Sequence, residues 1–215
     1  MGDKGDATRL TIECAENGPY IVKGLETFTN SKGETISAKK VIALCRCGKS
    51  ENKPFCDGTH GKVGFNDQKE PDRRPDTRDS YAGQKIIIHD NRGICSQAGH
   101  CTKNLESVFK MKADPWIDPD GADVEKIIET IKQCPSGALS YTVEGVEHRD
   151  QDRELTITVT KDGPYSITGG IEFVDQPWGE EASTEHYTLC RCGASRNKPF
   201  CDGSHWYIKF KDEKN

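Results

Sequence analysis

No run of about 18 consecutive apolar residues, the least a membrane-crossing helix needs, occurs in the 215 residues. The first residues, Met1-Gly2-Asp3-Lys4-Gly5-Asp6, hold no apolar stretch of the kind a secretory signal uses, and Asp6 stands where a myristoylation motif has Ser or Thr. A cytoplasmic protein with no membrane contact is expected. Apolar residues are scarce at 33%, charged residues reach 30% and mean hydropathy is −0.77. That is poor material for one large core, and domains with little core are commonly held together by metals or disulfides. An excess of basic charge is missing too. The net charge of −5 argues against a nucleic-acid binder. There is no dinucleotide-binding glycine fingerprint, no phosphate loop and no serine or cysteine nucleophile motif. What the chain does have is ten cysteines. In a reducing compartment, clustered cysteines favour metal binding over disulfides.

The layout follows from an internal repeat. Residues 45–60 read CRCGKSENKPFCDGTH and residues 190–205 read CRCGASRNKPFCDGSH, identical at thirteen of sixteen positions. The offset of 145 also aligns Leu10-Thr11-Ile12 with Leu155-Thr156-Ile157, Gly18-Pro19-Tyr20 with Gly163-Pro164-Tyr165, and Phe28, Leu44 and Phe65 with Phe173, Leu189 and Phe210. Both copies are expected to share one backbone. Each reads as β-rich: Leu10–Cys14 and Leu155–Thr160 alternate and end at turns, followed by Tyr20–Val22 or Tyr165–Ile167, then Val41–Leu44 or Tyr187–Leu189 running into the first cysteine.

The repeated motif is C-x-C-x8-C-x3-H. Cys45 and Cys47, at i and i+2, share a face of an extended stretch. Cys56 and His60, at i and i+4, share a face of a helical turn that Pro54 is placed to open. Asp57 in that turn suits the free N–H groups and is expected to fix the loop rather than bind metal. The second copy places Cys190, Cys192, Cys201 and His205 around an equivalent centre, with Asp202 in the orienting role. Arg46, Lys53, Arg191 and Lys198 are candidate cations beside the ligands, or solvated surface charge. By donor type alone, a zinc knuckle on three cysteines and one histidine fits as well.

Both copies resemble the CDGSH, or NEET, iron–sulfur family, matching its pattern C-x-C-x2-[ST]-x3-P-x-C-D-G-[SAT]-H with Ser50 and Ser195 as the hydroxyl and Pro54 and Pro199 as the proline. The resemblance implies two [2Fe–2S] clusters, with one iron on Cys45 and Cys47 and the other on Cys56 and His60, then likewise on Cys190 and Cys192 and on Cys201 and His205. A neutral imidazole in place of a thiolate leaves the cluster less negative and adds a proton site, so a pH-dependent potential is expected. Family members pair as homodimers, so the two repeats here are expected to pair with each other as an intrachain pseudo-dimer within a monomer.

Between the repeats lie Cys95, Cys101 and Cys134-Pro135, spaced C-x5-C…C-P, with Ala98 where bacterial ferredoxins have a further cysteine. Asp123–Gln133 carries Val124, Ile127, Ile128 and Ile131 at helical spacing, capped by Asp120 or Gly121 and stopped by Cys134-Pro135. Lys85–His89 reads as a strand. The stretch resembles the divergent mono-cluster ferredoxin-like domains. Three thiolates suit a [3Fe–4S] cluster. A [4Fe–4S] cluster is the alternative, its fourth ligand from His100 or His89, and a zinc site or reduced trio is the bland one. Cys14, aligned with Val159, is expected to be a small core residue, and Trp116, Trp178 and Trp206 to be packing residues, with shielding of the cluster beside His205 the alternative for Trp206.

The expected fold class is small, β-rich α+β: residues 1–66 a first CDGSH-type [2Fe–2S] domain, 67–83 a linker, 84–147 a ferredoxin-like cluster domain and 148–215 a second CDGSH-type domain. The expected role is electron transfer or redox sensing, as a carrier rather than a catalyst, with a redox partner protein. The alternatives are cluster storage or delivery to an apo iron–sulfur acceptor, and a zinc-stabilised binding module.

Overall fold

The structure, a computed structural model, describes residues 9–25, 27–174 and 178–215. The first repeat supplies Thr11–Cys14 (β1), Tyr20–Lys23 (β2), Thr27–Thr29 (β3), Thr35–Ser37 (β4), Val41–Leu44 (β5) and the helical turn Thr59–Lys62 (α1). The middle supplies Asp79–Ala82 (β6), Ile87–Asp90 (β7), His100–Asn104 (α2), Val124–Ile131 (α3), Leu139–Val143 (β8) and Val146–His148 (β9). The second repeat supplies Thr156–Val159 (β10), Tyr165–Thr168 (β11), Glu172–Phe173 (β12), Tyr187–Leu189 (β13) and Ser204–Tyr207 (α4).

Each repeat opens with a hairpin, β1–β2 and β10–β11. Both hairpins turn on a left-handed residue at the same aligned position, Asn17 at φ 47° and Asp162 at φ 48°. Asn and Asp tolerate that conformation because their side chains bond the local backbone. The repeats then exchange strands. One sheet runs β12-β1-β2-β5 and the other β13-β11-β10-β3-β4. β12 is the aligned copy of β3, and each lies parallel to the first strand of the other repeat, Ile12 beside Phe173 and Thr158 beside Thr29. Ile12, Tyr20, Val22, Phe28 and Leu44 thereby pack in one cluster with Ile157, Val159, Tyr165, Ile167, Phe173 and Leu189. Each large apolar side chain so buried contributes about 1.5–3 kcal/mol, and the two repeats share one core.

The middle segment is a separate antiparallel sheet, β6-β7-β8-β9, with α3 laid on it. Ile127 and Ile131 of α3 meet Ile86, Ile88, Val108, Phe109, Ile117 and Leu139 in a second core. The helix cap is Asp123 rather than Asp120 or Gly121: those two lie in a turn, with the Gly121 N–H donating to Asp118 O, and Asp123 alone has the extended geometry that precedes the first helical residue. The expected linker is in part structural: its end, β6, pairs with β7. Upstream of β6 the chain lies along the second repeat as an arm, with the Glu70 N–H donating to Arg196 O. The whole is a small β-rich α+β fold. Among the described residues, no helix is long and apolar enough to cross a membrane.

Candidate metal centres

β5 and β13 end at Leu44 and Leu189, one residue before the first cysteine of each motif. The Cys45 and Cys47 sulfurs lie 3.8 Å apart, as do those of Cys190 and Cys192. The chain then loops back, and the Cys45 N–H donates to Pro54 O and that of Cys190 to Pro199 O. Pro54 does not open the helix. It sits in the returning loop, and α1 starts only at Thr59, after Gly58 at φ 84°. Cys56 is therefore outside the helix, yet its sulfur lies 3.3 Å from His60 Nδ1, and the Cys201 sulfur lies 3.5 Å from His205 Nδ1.

These distances test which group fits. Two bonds of about 2.3 Å at a tetrahedral metal put their sulfurs about 3.8 Å apart, and one sulfur and one imidazole nitrogen about 3.5 Å apart. Each pair thus fits half the coordination of one tetrahedral metal. Among the described residues, no three His, Cys, Asp or Glu side chains gather as a single ion requires. The donors come in pairs, as a two-iron centre needs and a zinc knuckle does not.

The two sites meet across the pseudo-twofold axis. Tyr20 OH donates to Cys190 O and Pro199 O, and Tyr165 OH donates to Cys45 O and Pro54 O, all at 2.9–3.0 Å. Gly48 and Gly193 have φ +73° and +81°, and a Cβ on either would strike the backbone of Cys192 or Cys47 in the other repeat.

Asp57 and Asp202 each tie the loop, taking the Glu51 and Thr59 N–H groups in one copy and the Arg196 and Ser204 N–H groups in the other. The Thr59 side chain, with the Glu51 and Thr59 N–H groups, holds the Asp57 carboxyl well below the usual range. Arg46 and Arg191 do not flank the sulfurs. Standing between two inward cysteines, they point away, Arg46 to Ala15 O, Gly18 O and Asp67, and Arg191 to Gly163 O, Thr160 O and Asp212. They brace the hairpin turns. Lys53 Nζ donates to Ser50 O at 2.6 Å. Lys198 is buried and its charge favours the Cys190 thiolate. The Cys190 thiol is pulled down, chiefly by the hydrogen bond with Cys192 and against burial. The same bond pushes Cys192 up, and burial raises Cys45, Cys56 and Cys201.

The copies differ in cover. Cys201 and His205 are buried, whereas Cys56 and His60 are half-buried. The middle segment makes the difference. Gln97 Nε2 donates to Asp202 O, and Trp206 Nε1 donates to Gln97 O. Trp206 itself is 60% exposed, so it links the two units more than it shields His205. Asn197, buried, donates to Asp76 Oδ1 and Gly93 O and accepts from Arg73.

Cys95, Cys101 and Cys134 line one small cavity in the middle segment, together with Ala98 and His100. Burial raises Cys95, and burial with the neighbouring Cys134 and Cys95 pushes Cys101 up to about 11. His89 is not available there: its ring nitrogens engage Ser80 and Thr142. His100 stands exposed at the start of α2. A carboxylate that sequence reasoning passed over, Asp90, lines the same cavity, and burial pushes it up to about 7 against the pull of Arg92 and Trp116. Cys14 is half-buried against the shared core.

Among known proteins, the iron-binding zinc finger CDGSH type family matches residues 17–61 and 162–206, and the divergent 4Fe-4S mono-cluster family matches residues 81–144. The uncharacterized protein YjdI of Escherichia coli strain K12 is 43% identical over 61 residues, which are 28% of this chain and 80% of YjdI. YjdI of Escherichia coli O157:H7 matches to the same extent.

Proposed function

This chain belongs to the CDGSH iron–sulfur family, with two copies of the motif flanking a divergent mono-cluster ferredoxin-like segment, and on that basis we propose that it is an electron-transfer protein whose three centres stand in series. Cys45 and Cys47 hold one iron and Cys56 and His60 the other of a first [2Fe–2S] cluster. Cys190 and Cys192, with Cys201 and His205, hold a second. Cys95, Cys101 and Cys134 hold a [3Fe–4S] cluster. When bound, these groups supply one-electron chemistry at potentials set by their charge and surroundings.

One observation carries the reading: the middle site is joined to the second CDGSH site. The two-residue step from Cys95 to Gln97 ends in hydrogen bonds to Asp202 and Trp206, which flank the ligand pair Cys201 and His205. The second site is in turn pressed against the first through Gly48 and Gly193. A route from middle to second to first needs no hop through solvent. The half-buried His60 makes the first site the port to a redox partner protein. His60 and His205 take part through Nδ1, which leaves Nε2 to exchange a proton.

The test is flash reduction of the full chain to substoichiometric levels. Electrons should redistribute among the centres at a rate independent of protein concentration. Redistribution that scales with concentration sinks the wire. A second reading, cluster delivery to an apo iron–sulfur protein, is favoured by the exposure of the Cys56–His60 pair. It predicts that mixing with apo-ferredoxin empties the first site and leaves the second filled.

A further inference from the structure

Asp90 ends β7 and is 1% exposed. Both of its carboxylate oxygens are buried and neither has a partner at normal hydrogen-bond geometry; Trp116 and Arg92 beside them only partly offset the burial. The Arg92 Nε stands 3.9 Å from Oδ2, but that guanidinium is committed elsewhere. Its Nη1 donates to the Cys95 sulfur at 3.5 Å and its plane lies 4.6 Å over the Trp116 ring. Leaving a carboxylate buried without donors costs several kcal/mol. Folded proteins tolerate such groups where an ion completes them. Asp90 faces the one place in this unit where an ion is expected, the cavity lined by Cys95, Cys101 and Cys134.

Three thiolates satisfy three irons and leave the fourth corner of a cube without a ligand. Ala98 offers no donor there. His89 is tied to Ser80 and Thr142, and His100 is exposed. We propose that the Asp90 carboxylate is the fourth donor of the middle site, and that the site takes up and releases one metal ion at that corner. The inference rests on the reading that the three cysteines hold a cluster.

The exchange balances without an added oxidant or reductant. The reduced three-iron centre and one ferrous ion give the four-iron centre, [3Fe–4S]0 + Fe2+ → [4Fe–4S]2+. The incoming iron bonds to three sulfides already present and to one Asp90 oxygen, and any carboxyl proton leaves to solvent. Carboxylate is a harder ligand than thiolate and suits ferrous and other divalent ions held loosely. The corner is therefore exchangeable, and the middle centre responds to available iron as well as to redox state.

The experiment uses the full chain, reconstituted without oxygen, reduced with dithionite and given ferrous ion. After free iron and dithionite are removed and the protein is mildly reoxidised, wild-type chains should have gained one iron and lost the EPR signal of the oxidised three-iron centre. Asp90→Asn should keep that signal and gain nothing, and Asp90→Cys should lack the signal from the start. The visible bands of the two [2Fe–2S] centres report that each variant folds. Mössbauer spectra of wild-type protein given isotopically enriched iron need no variant: the added iron should show the isomer shift of an oxygen-bound site. Iron uptake by Asp90→Asn equal to wild type, or a sulfur-only shift, overturns the proposal. If Cys101→Ser instead holds as much iron and sulfide as wild type, the cluster reading itself fails.

Discussion

Tyr20 and Tyr165 cross edge to face with ring centroids 6.0 Å apart, and each hydroxyl closes on the metal loop of the other repeat. Each site is thus held by the half of the chain that does not contain it. Removing one hydroxyl takes the donor from the buried cysteine carbonyl, while the proline carbonyl keeps its cysteine N–H, a loss of about 1–3 kcal/mol. Tyr20→Phe should lower stability by that amount and speed cluster loss from the second site. Tyr165→Phe should do the same at the first. Denaturant titration reads the stability, and decay of the visible bands in chains whose other CDGSH site has been emptied by Cys→Ser reads the crossed effect. Loss at the tyrosine's own repeat would show that the clamp does not work across the pair.

Gly48 and Gly193 carry the same argument to the backbone. Both have positive φ, and a Cβ on either would collide with main-chain atoms of the opposite CxC loop. Strain at such a position and displacement of a packed backbone together cost more than about 2 kcal/mol. Gly48→Ala should therefore weaken the second site, where Cys192 must shift, as much as the first. Gly58, also at positive φ but with open space around it, isolates the conformational part: Gly58→Ala should cost about 1 kcal/mol and leave the second site untouched. Site-resolved EPR after thermal challenge compares the two variants.

The pairing of the motif's cysteines and histidines was legible in the sequence because the repeat is nearly invariant over that loop and its offset never changes. The hairpins were legible too, since β-branched alternation ends at Asn17-Gly18 and Asp162-Gly163. The exchange of β3 and β12 was not. These strands are two or three residues long, and in sequence only the aligned Phe28 and Phe173 mark them. Arg46 and Arg191 misled because adjacency to a ligand suggests contact with it. Alternation along the loop sends the intervening side chain to the opposite face, where the hairpin carbonyls wait. Asp90 was invisible for a different reason. A carboxylate at a strand end is ordinary in sequence, and only the packed structure shows its oxygens buried with no partner at normal hydrogen-bond geometry.

Acid should separate the two CDGSH sites. Burial lowers the His205 pKa, with Asp202 opposing and Arg191 reinforcing. A histidine whose folded pKa lies below its unfolded value binds protons better once the site opens. Its contribution to stability is present above about pH 6.5 and is lost as the pH falls. His205 is 5% exposed whereas His60 is half-buried, so solvent has the more direct access to the first site. Lowering the pH from about 7 to about 5 should bleach the first cluster before the second. Visible spectra of His60→Cys and His205→Cys proteins assign the phases: the early phase should vanish in His60→Cys and persist in His205→Cys. The reverse assignment would mean that cover by the middle segment does not protect the second site.

Asn197 and its aligned counterpart Asn52 give a matched pair for the route between centres. Asn197 is buried, with Asp76, Gly93 and Arg73 as partners, while Asn52 is exposed and its N–H simply meets Ser50 Oγ. Asn197→Ala strands the Gly93 carbonyl at the seam between the arm, the middle segment and the second repeat, while the Asp76 carboxylate keeps Lys69 and Arg73. The expected cost is about 1–3 kcal/mol, against less than about 0.5 kcal/mol for Asn52→Ala on the surface. If the second and middle centres exchange electrons across that seam, Asn197→Ala should also slow the concentration-independent redistribution and weaken the magnetic coupling between the two centres, while Asn52→Ala changes neither. Flash reduction and pulsed EPR on the same samples measure both. A destabilised Asn197→Ala protein with unchanged redistribution would leave the seam as structural support alone and place the electron path elsewhere, most directly through the Gln97–Trp206 contact.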